Sequence, residues 1–427
     1  MKRTRWSLLA RILLVAVLAS ATRLAAAADA AGPPQGKGTH ADLVALLDEF
    51  LQWQDPARAK GNNDEWLVET AGKDASDFSA AAVDKRRAKM QELQAKLADM
   101  NVASWNRKQQ VDYLAVRARF DQENFTLNVS KPWSRDPGFY VDQMLRVTFT
   151  DLPVKGDKLK AVRNELRAMP KLVAGAKANL TEVAADYADL AMFNLANADG
   201  VGHGFPYRAV PPPGIIGWYA DLLGRAEKQQ RELVPDIKAA KKSAEDFLAW
   251  IKANRGSMNG QAGVGRENFD WYVKNVKLMP YTADEILTLG HRELERLWAL
   301  YALEQHHNRN LPPLELSKSK EEYEAKIAAT DKQVRKFLVE QDIITIPDYI
   351  KELDTNVPWI VRPTGPNFWE QIQFRDPHPD HLHAVIPGHR FDAVVERHNT
   401  DPIRSKLTDG VRVEGWGVYL EEGMMHA

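Results

Sequence analysis

The segment HLHAVIPGHRFD, residues 381–392, is the stretch on which fold and chemistry turn. His383 and His389 flank a Pro387–Gly388 pair, with His381 just upstream. On an unbroken helix two imidazoles can share an ion when they lie four residues apart, diverging by only ~40° around the axis. His383 and His389 are six apart. A straight helix would point them ~120° from each other and ~9 Å apart along the axis. Proline removes the N–H that would bond the carbonyl of His383, and glycine opens dihedrals closed to other residues. The spacing excludes a straight helical site and fits a broken turn that swings one ring back toward the other.

A third ligand must come from elsewhere. VRVEGWGVYLEEGMMHA (411–427) reads as helix, and on it Glu414 and Glu421 stand seven residues apart on one face. Two histidines and a glutamate, with the fourth position left to water, form a catalytic zinc arrangement. The metal would lower the pKa of that water to ~7 and polarise a substrate carbonyl. Plainer readings stay open at this point. Loop histidines often cap or face solvent, and an EGW run packs as ordinary helix.

Composition narrows the field. The chain has 427 residues, no cysteine and a formal net charge of −1. Any metal must therefore be held by His, Asp or Glu, and no disulfide is available. Acidic and basic residues are interspersed, which excludes the clustered basic face of a nucleic-acid binder. The opening MKRTRWSLLARILLVAVLASATRLAAAADAAG has a basic start, a short apolar run and small residues near Ala28. That order reads as a signal peptide over residues 1–28. Its apolar run falls short of the ~20 residues of a spanning helix, so the expectation is a periplasmic or secreted protein with no membrane span after leader removal. The sequence sets no oligomeric state.

Residues 29–427 read as one large helical domain, mainly α, with a helical part over 40–342 and a β-containing active-site part over 343–427. ADLVALLDEFLQWQ (41–54) places Leu43, Leu46, Leu47 and Phe50 on one face. Residues 80–100, 158–197 and 218–254 show the same periodicity, with Pro235 expected to kink or divide the last. Thr282 and Glu285 form a capping box ahead of an apolar stripe at Ile286, Leu289, Leu294, Leu297 and Tyr301. His291 reads as a packed or surface residue, and the adjacent His306 and His307, whose side chains diverge on a helix, read as exposed. NADGVGHGFPYRAVPPPG (197–214) and RGSMNGQAGVGREN (255–268) read as connecting loops. From Ile343, the runs IITIP, VPWIVRP and FWEQIQFR are β-prone and rich in proline, which predicts a small sheet with an edge strand. In that reading QIQFR (371–375) pairs with an extended substrate backbone.

PGH followed some twenty-five residues later by EGWGVYLEE resembles a large bacterial family, domain of unknown function 885. Its members are often exported, mostly helical, and regarded as zincin-like candidate metallopeptidases. The family's segment looks like His-Glu-x-x-Pro-Gly-His-x-x-Gln, followed by Glu-Gly-Trp-x-x-Tyr-x-Glu. His383, Pro387, Gly388 and His389 match the first motif; Glu414, Gly415, Trp416, Tyr419 and Glu421 match the second. MPYTADEILTLGHRELERL (279–297), RDPGFY (135–140) and VGRENFDWYV (264–273) resemble further family elements, so the likeness runs from about residue 40 to the end.

The resemblance implies a zincin-like architecture, zinc held by His383, His389 and Glu414, and a peptide or small amide substrate. Two positions depart from it. Ala384 stands where the family has the glutamate that would take a proton from metal-bound water, and Asp392 stands where it has glutamine. Asp392, Asp380 and Glu421 are the carboxylates available to substitute, and Tyr419 joins Asp392 and Glu421 as a catalytic candidate. The chain ends inside a predicted helix without a glycine stop, and reads as C-terminally incomplete against the family. Three readings follow: a zinc peptidase impaired at Ala384, a non-catalytic peptide- or metal-binding relative, or a periplasmic helical interaction protein without metal.

Overall fold

The structure, a computed structural model, describes residues 32–54, 77–197 and 208–425. The leader over 1–28 and most of the 197–214 loop lie outside these residues.

Nine helices build the first body: α1 (His40–Gln54), α2 (Ala80–Ala98), α3 (Arg107–Phe125), α4 (Pro132–Arg135), α5 (Gly138–Leu145), α6 (Gly156–Asn179), α7 (Ala185–Ala196), α8 (Gly214–Gln229) and α9 (Val234–Asn254) among the described residues. The α1 face predicted from periodicity is the face that is buried, Leu43, Leu46, Leu47 and Phe50 together with Leu51. Asn106 opens α3 with a capping box to Gln109, which satisfies two amides of the first turn. Pro235 sits in the first turn of α9, where its missing N–H costs nothing. The predicted division of 218–254 is present, but a 3₁₀ turn at Arg231–Leu233 makes it, just ahead of the proline. These helices share one continuous apolar core. Each large side chain buried there stabilises by ~1.5–3 kcal/mol relative to exposure.

Then come α10 (Arg266–Asn275), α11 (Ala283–His307), α12 (Lys320–Glu340), α13 (Phe368–Arg375), α14 (His378–Asp380), α15 (His389–Arg397) and α16 (Gly410–Met425). The connector before α10 is held by Arg135, whose guanidinium donates to the carbonyl of Gly263 at 2.8 Å. Thr282 caps α11 as predicted, accepting from the Glu285 amide while Glu285 accepts from the Thr282 amide at 2.8 Å. The apolar stripe of α11 does not enter the core. Leu289, Leu294, Leu297 and Tyr301 are exposed and Ile286 is half-buried. His291, His306 and His307 are exposed as well.

The small sheet predicted for 343–427 is absent: the described residues contain no strand, only isolated bridges at Gly38–Met100 and Ala184–Gly260. Residues 343–367 run as irregular chain, and FWEQIQFR is helix α13. The reason is local. Asn367 caps α13 by accepting from the Glu370 amide at 2.9 Å, while Glu370 returns a bond to the Asn367 amide at 2.8 Å. Glu370 is itself held by Arg362 at 2.8 Å in a buried pair. QIQFR therefore has its amides bonded within a helix and cannot act as an edge strand for substrate. The aromatic and branched residues that read as β-prone pack instead on α12. Tyr323, Val357 and Phe374 form a small core, and the Tyr323 hydroxyl donates to the carbonyl of Val357 at 2.6 Å.

A second small core, with Val334, Leu338, Ile350, Leu382, Ile386 and Phe391, lies beneath the histidine segment. The chain between α15 and α16 returns to the first body. Ile403 is buried in its core, Arg404 pairs with Asp112 at 2.9 Å, and Lys277 pairs with Asp409 at 2.8 Å.

Candidate metal centre

The histidine segment breaks where its sequence says it must. A π-helical turn over His381–Val385 ends at an extended Ile386, and α15 begins at His389 after a cis Ile386–Pro387 peptide and Gly388. A Cβ at Gly388 would fall 1.8 Å from the carbonyl oxygen of His383, so only glycine lets the backbone double back this closely. The bend brings the two imidazoles together edge to face, with ring centroids 4.6 Å apart.

Helix α16 closes the arrangement. Glu414 Oε2 lies 3.5 Å from Nε2 of His383 and 3.6 Å from Nε2 of His389. One donor atom from each of the three residues lies within 4.8 Å of the others. A tetrahedral zinc with ligands at ~2.0–2.1 Å needs donor–donor edges of ~3.3 Å. The two His–Glu edges come close to that figure, and two imidazoles with a carboxylate are a zinc donor set, so the residues fit the ion. Burial pushes His389 below the ordinary imidazole value against the pull of Glu414, favouring the neutral form that ligation requires.

Three contacts hold this geometry. Glu421 accepts from Nδ1 of His383 at 2.9 Å. A carboxylate can only accept, so this bond places a proton at Nδ1 and leaves Nε2, on the side of Glu414, as the nitrogen a metal would take. Trp416 donates from Nε1 to the carbonyl of Pro387 at 2.9 Å, pinning α16 to the bend. Gly417 permits the close approach, since a Cβ there would lie 2.7 Å from the His383 ring. Sequence reasoning placed Glu414 and Glu421 on one face, and both reach His383. It missed the positioning roles of Trp416 and Gly417, for which only the tight EGWG spelling gave a signal.

The other predicted residues fall differently. Asp392 pairs with Arg412 at 2.8 Å and does not line the cavity beside the cluster. Tyr419 is exposed and stacks near Trp416, also off the cavity wall. His381 is buried against Asp331 of α12 at 3.1 Å and takes no part in the cluster. Asp380 does line the cavity. Its Oδ1 accepts from Asn356 at 3.1 Å, its Oδ2 is buried without a partner, and burial raises its carboxyl above the usual range. Ala384 is buried on the same wall and offers only a methyl group.

The cavity measures about 1590 Å³, and its lining includes His383, His389, Glu414 and Glu421 together with apolar residues such as Phe368 and Trp369. It exceeds the ~300–1,000 Å³ of a small-molecule pocket.

The architecture and cluster define a mainly helical protein with a His–His–Glu constellation on the wall of a large cleft. The chain belongs to the family described as bacterial protein of unknown function (DUF885), whose model matches residues 60–352. The constellation lies beyond that match. No curated protein matches the chain. Among solved structures it is similar to a candidate lipoprotein of unknown function from Shewanella oneidensis, with a TM-score of 0.62 at 16% identity over 91% of this chain and 78% of that one. That likeness is one of fold. Among the described residues no helix is long and apolar enough to cross a membrane.

Proposed function

We propose that the protein is a zinc-binding, zincin-like metallopeptidase relative that takes a peptide or small amide in the cleft beside His383, His389 and Glu414. The observation that carries this reading is the convergence of Nε2 of both histidines on one Glu414 oxygen, at 3.5 and 3.6 Å. A bound zinc would supply Lewis acidity, polarising a carbonyl and acidifying a water. The chain's own groups do the rest. Glu421 holds the His383 ring and its proton at Nδ1. Phe368 and Trp369, exposed on the cleft wall, give the ligand an apolar surface to pack against. The leader-like opening supports placement in the periplasm or outside the cell.

Ala384 favours a second reading, a relative that binds metal and peptide without turning it over. A methyl group cannot relay the proton that the family's glutamate would. Metal analysis tests the common ground: about one zinc per chain, lost on replacing His383 and His389 by alanine, is expected, and absence of stoichiometric zinc overturns both readings. Chelator-sensitive cleavage of a peptide library then separates them. Ala384→Glu should create or raise that cleavage if position 384 carries the lesion.

A further inference from the structure

Arg390 follows the ligand His389 directly and lines the same cavity. It is half-buried, and among the described residues it makes one hydrogen bond, from Nη2 to the carbonyl of Thr355 at 3.2 Å. A guanidinium carries five N–H donors in a planar fork, so most of this one's donors are unused. Among the described residues no carboxylate lies within 4 Å of it as an ion-pair partner. Most acids around the cleft have other partners: Asp376 is bonded to His378 at 2.6 Å, and Glu421 and Glu414 stand against the histidines. Asp380 accepts from Asn356 through Oδ1 only, its Oδ2 is buried without a partner, and it feels the charge of Arg390 from beyond ion-pair distance. Lys336, the other basic residue on the wall, lies 3.8 Å from Glu340. Arg390 also sits in the first turn of α15, whose Gly388 cap offers no side chain to the free amides, so the helix's partial positive charge adds to that of the guanidinium.

We propose that Arg390 is a carboxylate receptor in the cleft, so that the ligand taken there is a peptide or N-acyl amino acid presenting a free carboxylate beside the metal-binding histidines. The inference rests on the cleft being the ligand site proposed above and extends it by naming the group that is recognised. A planar fork matches a carboxylate through two parallel bonds, and a half-buried position spares the pair from full solvent screening. The carboxylate can come from a chain terminus or from an acidic side chain. Both share the chemistry, and the termini alone are removed by amidation.

The test is calorimetric titration of the full chain, zinc-loaded and metal-free, with acetyl-Ala-Ala-Phe, with its C-terminal amide, and with acetyl-Ala-Glu-Phe amide. The wild type should bind the free acid about ten- to a hundredfold more tightly than the simple amide. Recovery of affinity by the glutamyl amide marks a side-chain receptor, and no recovery marks a terminal one. Arg390→Gln should abolish the discrimination and Arg390→Lys should restore part of it, both with unchanged zinc stoichiometry and helical circular dichroism. Equal binding of all three peptides, no binding of any, or discrimination that survives Arg390→Gln overturns the proposal. If Arg390→Gln loses its helical signal, Arg390→Lys and the metal-free wild type decide, and an acid-over-amide preference that is present only with zinc overturns the proposal. Zinc binding read on the same samples separates this inference from the metal reading, since carboxylate discrimination in a protein that takes up no zinc would leave the receptor standing and the metal centre refuted.

Discussion

Glu421 Oε1 lies 2.9 Å from Nδ1 of His383, while Glu414, two turns earlier on α16, faces Nε2 of the same ring at 3.5 Å. One helix face thus grips both nitrogens of one imidazole. The two carboxylates differ in task. Glu414 sits between the histidines where an ion would bind, and Glu421 fixes tautomer and ring orientation from behind. Removing Glu421 should therefore weaken metal binding without removing a ligand. Glu421→Gln is expected to lower zinc affinity about 10- to 100-fold while the thermal midpoint of the metal-free protein stays within a degree or two. Competition titration with a chromophoric chelator reads the first and differential scanning fluorimetry the second. Unchanged affinity would remove Glu421 from the site.

Gly417 gives a prediction in which stability and binding move in opposite directions. Alanine in a helix interior is favoured over glycine by ~1 kcal/mol, so Gly417→Ala should hold or slightly raise the melting temperature through α16. The new Cβ would lie 2.7 Å from the His383 ring, which must rotate away from both Glu414 and Glu421. Zinc affinity is expected to fall about tenfold or more, measured by the same competition. A variant that keeps full affinity would mean that the ring and α16 are not in the contact described here.

The site was more legible in the sequence than the segment leading to it. Pro387 and Gly388 announced a bend, and the seven-residue interval between Glu414 and Glu421 announced a shared face, because both follow from local covalent geometry. The buried face of α1 and the capping box of α11 are local in the same sense. IITIP, VPWIVRP and FWEQIQFR misled because β-propensity measures fit to a half-buried pleated surface, and here the burial is provided by Tyr323 and Phe374 packing against helix. The Asn367–Glu370 box was present in the letters and outranks that propensity, since it satisfies two first-turn amides at once. Gly417 and Trp416 could not be assigned from sequence, as their roles exist only once α16 lies against the bend. The stripe of α11 shows the converse. Its periodicity is helical and correct, yet periodicity alone does not say what covers a face, and Leu294, Leu297 and Tyr301 are exposed.

Arg362 and Glu370 offer a test of how the cleft wall is supported. Their ion pair is almost fully buried, and Glu370 also completes the cap of α13, from which Phe368 and Trp369 reach the cleft. Removing one partner leaves a buried charge unmatched. Arg362→Ala is expected to cost about 3–5 kcal/mol, read as a lowered urea midpoint at unchanged slope. A loss under about 1 kcal/mol would place the pair in solvent.

Asp121 on α3 carries a pH signature that can be isolated by subtraction. Burial raises its carboxyl from 3.8 to about 6, only partly offset by Arg117, whose Nε is 3.7 Å away. The folded state therefore holds this proton more tightly than the unfolded chain does. The stabilisation is fully present below the unfolded pKa near 4 and is lost as pH rises through about 6. A shift of about two units corresponds to ~3 kcal/mol at most. Asp121→Asn keeps the shape and cannot ionise, so its unfolding free energy should fall less than the wild type's between pH 4 and 7. Other carboxylates, such as Asp401 held down at about 2 by backbone amides, titrate in both proteins and cancel in the difference. Urea denaturation at four pH values across that range gives the two curves. Parallel curves would show that Asp121 ionises as freely in the folded protein as in the unfolded chain, and that the α3 environment is wetter than its packing implies.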